Sequence, residues 1–194
     1  MLIAISGSQG AGKTVLVNEL EKCGYYTIQR KTSRSILSDW GVTLSQVNNN
    51  RDLTVKFQDE ILVRKMADES VAVHSSDVWV TERTFADLFT YACVAIGKDN
   101  EYSDWLDEYF HKCAAAQTMY DRVFYLKGGL FPVQNDGVRA VNQHYSRMVD
   151  LFMEEYISKM SDSTIRRIDT PQLDERVNFV LTHTQDVYTQ GVRE

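Results

Sequence analysis

The chain has 194 residues, of which 43% are hydrophobic and 25% are charged, and its formal net charge is −6. This composition is typical of a globular protein with a buried core and excludes a low-complexity chain. The acidic balance argues against a surface that coats nucleic acid broadly, although a local basic groove remains compatible with it. The N-terminal apolar run is only a few residues long and no basic stretch precedes it, so it predicts neither a signal peptide nor a membrane span. We therefore expect a cytoplasmic protein with no membrane partner.

The cysteines carry little functional signal. Cys23, Cys93 and Cys113 are odd in number, widely spaced and without a C-x-x-C pair. This pattern favours reduced thiols in the core over a disulfide framework or a metal site.

Short apolar or aromatic runs alternate with segments of helical periodicity along the chain. Strands are predicted at 2–6, 25–29, 77–81, 122–127 and 164–168, and helices at 13–22, 52–68, 84–96, 102–118, 142–160 and 172–184. Strands that alternate with helices predict an α/β fold with a parallel, doubly wound sheet, whose site lies at the carboxyl ends of the strands. No composition shift marks a domain boundary, so we expect one domain over residues 1–194.

Two segments add detail to this prediction. The residues Asn48-Asn49-Asn50-Arg51 are predicted to form a loop between two helical pieces. Apolar residues recur at a spacing of three or four in the helix predicted at 142–160, which indicates a packed face made of Tyr145, Met148, Val149, Phe152, Met153 and Tyr156.

A phosphate-binding motif follows the first predicted strand. Residues Gly7-Ser8-Gln9-Gly10-Ala11-Gly12-Lys13-Thr14 match G-x-x-x-x-G-K-[ST] and lead into a predicted helix. The glycines let backbone N–H groups cradle phosphate oxygens, Lys13 reaches the β- and γ-phosphates, and Thr14 ligates Mg²⁺. A glycine-rich turn without a ligand is the alternative, but the strand–loop–helix context favours nucleoside triphosphate binding.

The strand predicted at 77–81 leads into Glu82-Arg83-Thr84, and Asp87 follows one helical turn later. A carboxylate delivered beside a phosphate loop can hold Mg²⁺, through water, or accept the proton of an attacking hydroxyl. Glu82 and Asp87 are both candidates for the base, and Arg83 can clamp a phosphate with its two-pronged donor geometry. A Glu–Arg pair that merely caps the next helix is the alternative interpretation.

A closing lid is predicted at about 128–147. Gly128-Gly129 and Pro132 interrupt the chain after the fourth strand, and Gly137 lies in a polar segment that ends at Arg139. Glycine hinges permit a closure that excludes water from the reacting phosphate. Arg139 and Arg147 are candidates for stabilising charge on the transferred group, although each can equally be a solvated surface arginine.

The segment after the second predicted strand is basic. Arg30, Lys31 and Arg34 lie in the sequence Gln29-Arg30-Lys31-Thr32-Ser33-Arg34, which in this topology faces the acceptor of a phosphate. These three residues are the predicted substrate-binding group. A basic, solvated helix start is the alternative.

The chain resembles known P-loop kinases at several of these places. Glu82-Arg83-Thr84 is similar to the E-R-S element of deoxynucleoside kinases. The run TERTFADLFTYA at 81–92, the YDRVF at 120–124 and the DGVR at 136–139 resemble the NadR-like kinases more closely, and the resemblance spans about residues 1–170. It implies a P-loop fold with strand order 2-3-1-4-5, ATP as the donor, an adenine site after the fifth strand, and a lid from which Arg139 contacts the transferred phosphate.

One departure from this family concerns the acceptor. Such kinases usually carry a carboxylate after the second strand that binds the acceptor hydroxyl, where this chain has Arg30 and Lys31. The difference favours an acceptor that already carries phosphate, such as a nucleoside monophosphate or DNA. The KTSR, TERTFAD and DGVR elements are similar to those of phage kinases that phosphorylate 5-hydroxymethyluracil in DNA. That resemblance implies DNA modification in the cytoplasm of the host.

Two other functions remain open from the sequence. A kinase of a free deoxynucleoside or nucleoside monophosphate fits the acidic charge and the lack of an evident DNA-binding appendage. A nucleotide-dependent regulatory ATPase is a different class, and it predicts nucleotide binding without transfer to an acceptor. The N-K-x-D signature of GTPases is absent from the sequence. The sequence does not indicate an oligomeric state.

Overall fold

The computed structural model describes residues 1–28, 32–128, 142–161 and 164–190. Within these residues the strands are β1 (Leu2–Ser6), β2 (Tyr26–Ile28), β3 (Trp79–Glu82), β4 (Arg122–Leu126) and β5 (Ile165–Ile168). The helices are α1 (Lys13–Lys22), α2 (Thr32–Trp40), α3 (Leu44–Asn48), α4 (Arg51–Val73), α5 (Phe85–Ile96), α6 (Ser103–Gln117), α7 (Gln143–Ser161) and α8 (Leu173–Gln190). A short 3₁₀ turn at Asn100–Tyr102 precedes α6.

The five strands form one parallel sheet in the order β2-β3-β1-β4-β5, as predicted. Strand β1 lies at the centre and all five of its residues are buried. Ile5 is in register with Glu82 of β3 on one side and with Phe124 of β4 on the other. The carboxyl end of β1 therefore lies directly beside the carboxyl ends of both neighbouring strands.

Side chains of β1 alternate between two separate cores, since successive residues of a strand point to opposite faces. Ile3 and Ile5 pack with residues of α1 and α8 on one face. Leu2 and Ala4 pack on the other face, in a larger core that draws buried residues from α2 through α7. This arrangement confirms the doubly wound α/β fold.

Element boundaries differ from the prediction between residues 32 and 73. Helices α2 and α3 are absent from the predicted set, and α4 runs to Val73 rather than to residue 68. The predicted loop at 48–51 is shorter than expected, because Asn48 ends α3 and Arg51 begins α4. The Asn50 side chain caps α4 by accepting the Leu53 N–H at 3.0 Å, so the asparagine run marks a helix start.

Two predictions about burial need correction. Cys113 is buried and Cys93 is half-buried, but Cys23 is exposed at the end of α1 and is not a core thiol. On α7, Val149 and Met153 are buried as expected, whereas Met148 and Phe152 are each 39% exposed. The helix therefore buries a narrower stripe than its apolar spacing indicates. None of the described helices is both long and apolar enough to cross a membrane.

Candidate active site

The loop between β1 and α1 has the backbone of a phosphate cradle. Gly7, Gly10 and Gly12 have φ angles of 139°, 80° and 89°, a region that residues with a side chain rarely adopt. At Gly7 there is also no room for a side chain, because a Cβ atom would lie 2.5 Å from the carbonyl oxygen of Leu126. The loop thus lies directly on the end of β4.

The N-terminus of α1 fits an anionic group. Gly12 occupies the N-cap position, no side chain of the described residues caps the helix, and the first turn contains no acidic residue. Uncapped N–H groups at a helix start bind phosphate oxygens. Lys13 is only 6% exposed, and its Nζ donates to the carbonyl oxygens of Gly7 at 2.7 Å and Ser8 at 2.9 Å. The ammonium group therefore lies over the loop, where phosphate oxygens can take over its hydrogen bonds.

The two predicted metal ligands differ in their surroundings. Thr14 is exposed in the first turn of α1, and Glu82 is half-buried at the end of β3. The described residues contain no cluster of three or more His, Cys, Asp or Glu side chains that could hold a metal alone. Mg²⁺ at phosphate sites needs only one or two protein oxygens, since phosphates and waters complete its shell. A hydroxyl and one carboxylate suit magnesium that arrives with a nucleotide.

Arg83 turns the chain sharply after β3. Its φ angle is 67°, and its N–H donates to the carbonyl oxygen of Ile5 at 2.8 Å. The guanidinium carbon lies 4.8 Å from the ring centre of Tyr91, a cation–π contact. The Tyr91 phenol, followed by the Asp87 and Glu82 carboxylates, raises the pKa of Arg83 above its ordinary value against the opposing effect of burial. Arg83 therefore presents a fixed positive charge beside Glu82.

Asp87 is engaged in a helix cap. It forms a reciprocal capping box with Thr84, in which its carboxylate accepts the Thr84 N–H at 3.2 Å and the Thr84 hydroxyl at 3.0 Å. The hydroxyl of Ser6, at the end of β1, donates to the same carboxylate. Asp87 has no exposed surface, so its role in this structure is to join β1 to the start of α5.

Helix α7 lies beside the phosphate loop. The Gln9 side chain donates to the Ser146 hydroxyl at 3.3 Å. Asp150 accepts the Tyr125 hydroxyl at 2.9 Å and the N–H of Gly128 at 3.1 Å. A Cβ atom on Gly128 would clash with the Ser8 hydroxyl and the Asp150 carboxylate. Gly128 therefore allows the end of β4, the loop and α7 to meet.

The predicted acceptor and lid residues are described only in part. Arg30, Lys31 and Arg139 lie outside the described residues, as does most of the predicted lid. Arg34 is exposed in the first turn of α2, and Arg147 is exposed next to Ser146 on α7. The basic acceptor group and the lid arginine remain predictions.

Five aromatic residues that could stack on a nucleotide base divide into two sets by burial. Phe57, Phe85 and Phe89 are buried in the core, which is the more common role of helical aromatics. Trp40 and Tyr91 are half-buried. Of these, Tyr91 lies at the candidate site through its contact with Arg83.

Two charged residues at the site are not indicated by any motif in the sequence. Lys65 of α4 donates to the carbonyl oxygen of Glu82 at 3.1 Å. Arg176 of α8 donates to the carbonyl oxygens of Ala11 and Thr170, at 2.7 and 2.6 Å. The spacing of Lys65 and Glu69 is a weak signal, since such i, i+4 pairs are common on exposed helix faces. No local pattern marks Arg176.

Solved structures with the same fold include two nucleotide-binding proteins. Deoxyadenosine kinase from M. mycoides with bound dATP superposes with a TM-score of 0.71 at 18% identity, over 95% of this chain and 100% of that chain. NadR in complex with NAD and AMP-PNP superposes with a TM-score of 0.72 at 10% identity, over 95% of this chain and 49% of that chain. At these identities the likeness shows the fold.

Comparison with sequences assigns the family. No curated protein sequence matches the chain. The sequence model of the AAA domain family matches residues 2–175, a span that includes the phosphate loop, Glu82-Arg83 and all five strands. The chain belongs to the AAA domain family and has the P-loop fold found in NadR and deoxyadenosine kinase.

Proposed function

We propose that this chain is a kinase that transfers the γ-phosphate of ATP to the hydroxyl of a nucleoside-type acceptor, with Mg²⁺ as cofactor. The observation that carries the proposal is the register of β1 and β3, in which Ile5 lies opposite Glu82. Because Gly7 begins the phosphate loop two residues after Ile5, the triphosphate site and the Glu82-Arg83 pair share one edge of the sheet. A donor site and a candidate base thus lie side by side.

The residues of the loop bind the donor. The N–H groups of residues 7–14 and the Lys13 ammonium hold the β- and γ-phosphates, and Arg83 adds a positive charge that burial does not remove. Thr14 would hold the magnesium ion directly and Glu82 would hold it through a water molecule, and the ion would supply positive charge against the phosphate oxygens. The acceptor oxygen attacks the γ-phosphorus, the bond to the β-phosphate oxygen breaks, and ADP leaves.

We assign the proton acceptor to Glu82 rather than Asp87. The Asp87 carboxylate already accepts three hydrogen bonds, from Thr84 and from Ser6, and it has no exposed surface. Glu82 is half-buried and stands at the strand end. A general base must reach the hydroxyl whose proton it takes, and the Glu82 side chain is the more accessible of the two.

For the acceptor, the proposal is 5-hydroxymethyluracil within DNA. It is supported by the basic residues Arg30 and Lys31 where related kinases have a carboxylate, and by the exposed Arg34 of α2. Phosphate groups of a DNA backbone or a nucleotide bind such side chains. The 5-position of a pyrimidine lies in the major groove, so the hydroxyl can be reached without extruding the base.

A free deoxynucleoside or nucleoside monophosphate is the second candidate acceptor. It is favoured by the superposition on deoxyadenosine kinase, which covers 100% of that chain. A third possibility is a regulatory ATPase, for which the loop binds ATP and no acceptor is phosphorylated.

One assay separates these functions. The protein is incubated with Mg²⁺ and ATP labelled in the γ-phosphate, together with DNA containing 5-hydroxymethyluracil, unmodified DNA, free deoxynucleosides or nucleoside monophosphates. Label on the modified DNA alone supports the proposal, and label on a monomer alone replaces it with the second candidate. Release of labelled phosphate without transfer supports the regulatory ATPase.

A variant pair tests the site within the same assay. Lys13→Ala removes the ammonium over the loop and is expected to abolish transfer. Lys22→Ala is the matched control, because Lys22 lies at the other end of α1, exposed and paired with Glu19. Equal transfer by the two variants would contradict the assignment of the loop.

A further inference from the structure

The peptide group that joins Glu82 to Arg83 is held from both sides. Its N–H donates to the carbonyl oxygen of Ile5 on β1 at 2.8 Å. Its carbonyl oxygen accepts from Lys65 Nζ on α4 at 3.1 Å, with the Thr81 hydroxyl at a longer 3.4 Å. The peptide plane is therefore set by two different elements, a strand and a helix that lies across the sheet face.

The residue that follows this peptide has an unusual backbone. Arg83 is the single described residue other than glycine with a positive φ angle, at 67°. A side-chain-bearing residue keeps such a conformation only when its surroundings hold it there, and it tends to do so at functional sites. Rotation of this peptide plane changes ψ at Glu82 and φ at Arg83, and unless the two changes compensate each other it shifts the directions of both side chains.

Lys65 is an unusual side chain to find at this depth. It is 8% exposed and pairs with Glu69, which has no exposed surface, at 2.5 Å. Glu69 accepts a second hydrogen bond from the Tyr120 hydroxyl at 2.7 Å, and the Phe85 ring centre lies 5.7 Å from Lys65 Nζ. Burial, followed by the Glu69 carboxylate, raises the pKa of Tyr120 well above its ordinary value, so the phenol stays a donor.

Stability alone does not explain such a pair. Removing two charges from water offsets most of their attraction, and buried ion pairs can often be replaced by apolar residues of similar volume without loss of stability. Besides Glu69, the ammonium donates to the Thr81 hydroxyl at 3.3 Å and to the Glu82 carbonyl at 3.1 Å, and apolar residues cannot replace these two hydrogen bonds. The particular contribution of the Lys65–Glu69 pair is therefore to fix the direction of the Glu82 carbonyl group.

We propose that Lys65 is a positioning residue, which holds the 82–83 peptide and thereby aims the Glu82 carboxylate and the Arg83 guanidinium at the reacting phosphate. This inference rests on the proposed kinase function for its activity readout. Glu69 pairs with the ammonium through one carboxylate oxygen, and the Tyr120 hydroxyl donates to the other oxygen of that carboxylate.

The test replaces the ion pair by two apolar residues of similar length. Lys65→Met with Glu69→Met leaves no buried charge but removes the acceptor of the Tyr120 hydroxyl, so the thermal midpoint should fall by no more than the loss of one buried hydrogen bond explains. The kcat of phosphate transfer should fall about ten- to a hundredfold, because a displacement of the order of one ångström at a reacting group has this effect. The KM for ATP should change less than kcat, since residues 7–14 supply most of the proposed donor contacts.

Tyr120→Phe is the matched control. It removes one hydrogen bond to Glu69 and leaves Lys65 on the Glu82 carbonyl, so kcat should equal that of the parent. A double methionine variant that retains its full kcat would overturn the proposal, and so would a loss of kcat in Tyr120→Phe equal to that in the double variant.

A structural readout separates this inference from the proposed function. Amide hydrogen exchange reports directly on the held peptide and needs no substrate. The Arg83 N–H should exchange as slowly as amides of β1 in the parent protein and faster in the double variant, whereas equal rates in the two proteins would overturn the inference. If the parent protein transfers no phosphate to any acceptor, the kinase proposal fails. The role of Lys65 is then still decided by the exchange measurement and by the φ angle of Arg83 in a crystal structure of the double variant.

Discussion

Arg176, on α8, donates from Nη1 to the carbonyl oxygen of Ala11, in the middle of the phosphate loop, at 2.7 Å. Its Nε donates to the carbonyl oxygen of Thr170 at 2.6 Å, in the segment after β5 where related kinases place the adenine ring. Arg176 is 1% exposed, and its guanidinium joins the phosphate loop to the segment after β5. We expect the first of these segments to contact the phosphates of ATP and the second to contact the adenine ring. A lysine cannot reproduce this bridge, because its single ammonium lacks the fork of an arginine.

This bridge predicts a selective loss of ATP affinity. Arg176→Lys should raise the dissociation constant of a non-hydrolysable ATP analogue about tenfold, which corresponds to about 1.4 kcal/mol and to one hydrogen bond of a charged donor. Calorimetric titration measures it. Arg167→Lys is the control, since Arg167 is an exposed arginine of the neighbouring strand β5 that pairs with Glu154. If Arg176→Lys binds the ATP analogue with the same affinity as the parent, the contacts of Arg176 to Ala11 and Thr170 do not contribute to ATP binding.

Gly128 predicts a steric effect at the start of the predicted lid. Gly128→Ala places a methyl group against the Ser8 hydroxyl and the Asp150 carboxylate, so both side chains must move and Asp150 gives up its hydrogen bonds from Tyr125 and from the N–H of residue 128. Overpacking of this kind lowers the free energy of unfolding by about 1–3 kcal/mol. Thermal unfolding with and without the ATP analogue measures the change. Adding Ser8→Ala should recover part of the loss, and an unchanged midpoint in Gly128→Ala would contradict the close packing.

The two carboxylates after β3 should respond differently to isosteric replacement. Glu82→Gln removes the proposed base and should lower kcat by at least about a hundredfold with little change in thermal stability. Asp87→Asn weakens the capping box and the hydrogen bond from Ser6, so it should lower the free energy of unfolding by about 1–3 kcal/mol. Steady-state kinetics and thermal unfolding of both variants measure these effects. A larger loss of kcat in Asp87→Asn than in Glu82→Gln would reverse the assignment.

The three thiols should differ in reactivity. Burial raises the pKa of Cys113 and, more modestly, that of Cys93, and both remain thiols at neutral pH. Cys23 is exposed. Because the thiolate is the reactive form, a disulfide reagent should modify one thiol of the native protein rapidly, and Cys23→Ser should abolish that reaction. More than one rapidly reacting thiol in the native protein would contradict the burial of the other two.

Much of the fold could be predicted because its signals are local. Most of the five strands are short segments rich in apolar, β-branched or aromatic residues, and each strand is found within two residues of its predicted bounds. Helices α2 and α3 are missing from the prediction because Thr32–Trp40 and Leu44–Asn48 are short, at nine and five residues. They form because Ile36 and Val47 pack into the larger core. Their stability comes from that packing rather than from helix propensity.

The residues of the candidate site likewise divide into those that the sequence indicates and those that only the fold brings together. The phosphate loop could be identified from eight consecutive residues, because its phosphate-binding groups are the backbone N–H groups of one short segment and glycine is required where φ is positive. Glu82 and Arg83 could be named from their place after a strand, but the sequence leaves the choice of base between Glu82 and Asp87 open. Our proposal of Glu82 rests on a long-range contact, since Asp87 accepts hydrogen bonds from Thr84 and from Ser6, the latter 81 residues away.

The sequence by itself determined that this chain forms a parallel sheet with a triphosphate loop at the end of its first strand, because both properties depend on neighbours along the chain. The tertiary structure decided which charges support the candidate site. Lys65 and Arg176 lie on helices far from the motifs, and the partners discussed above are backbone carbonyl groups, which every residue carries and no sequence pattern reveals. The positive φ of Arg83, in a segment without glycine, likewise accompanies long-range hydrogen bonds of the 82–83 peptide, whose N–H donates to Ile5 of β1 and whose carbonyl accepts from Lys65 of α4.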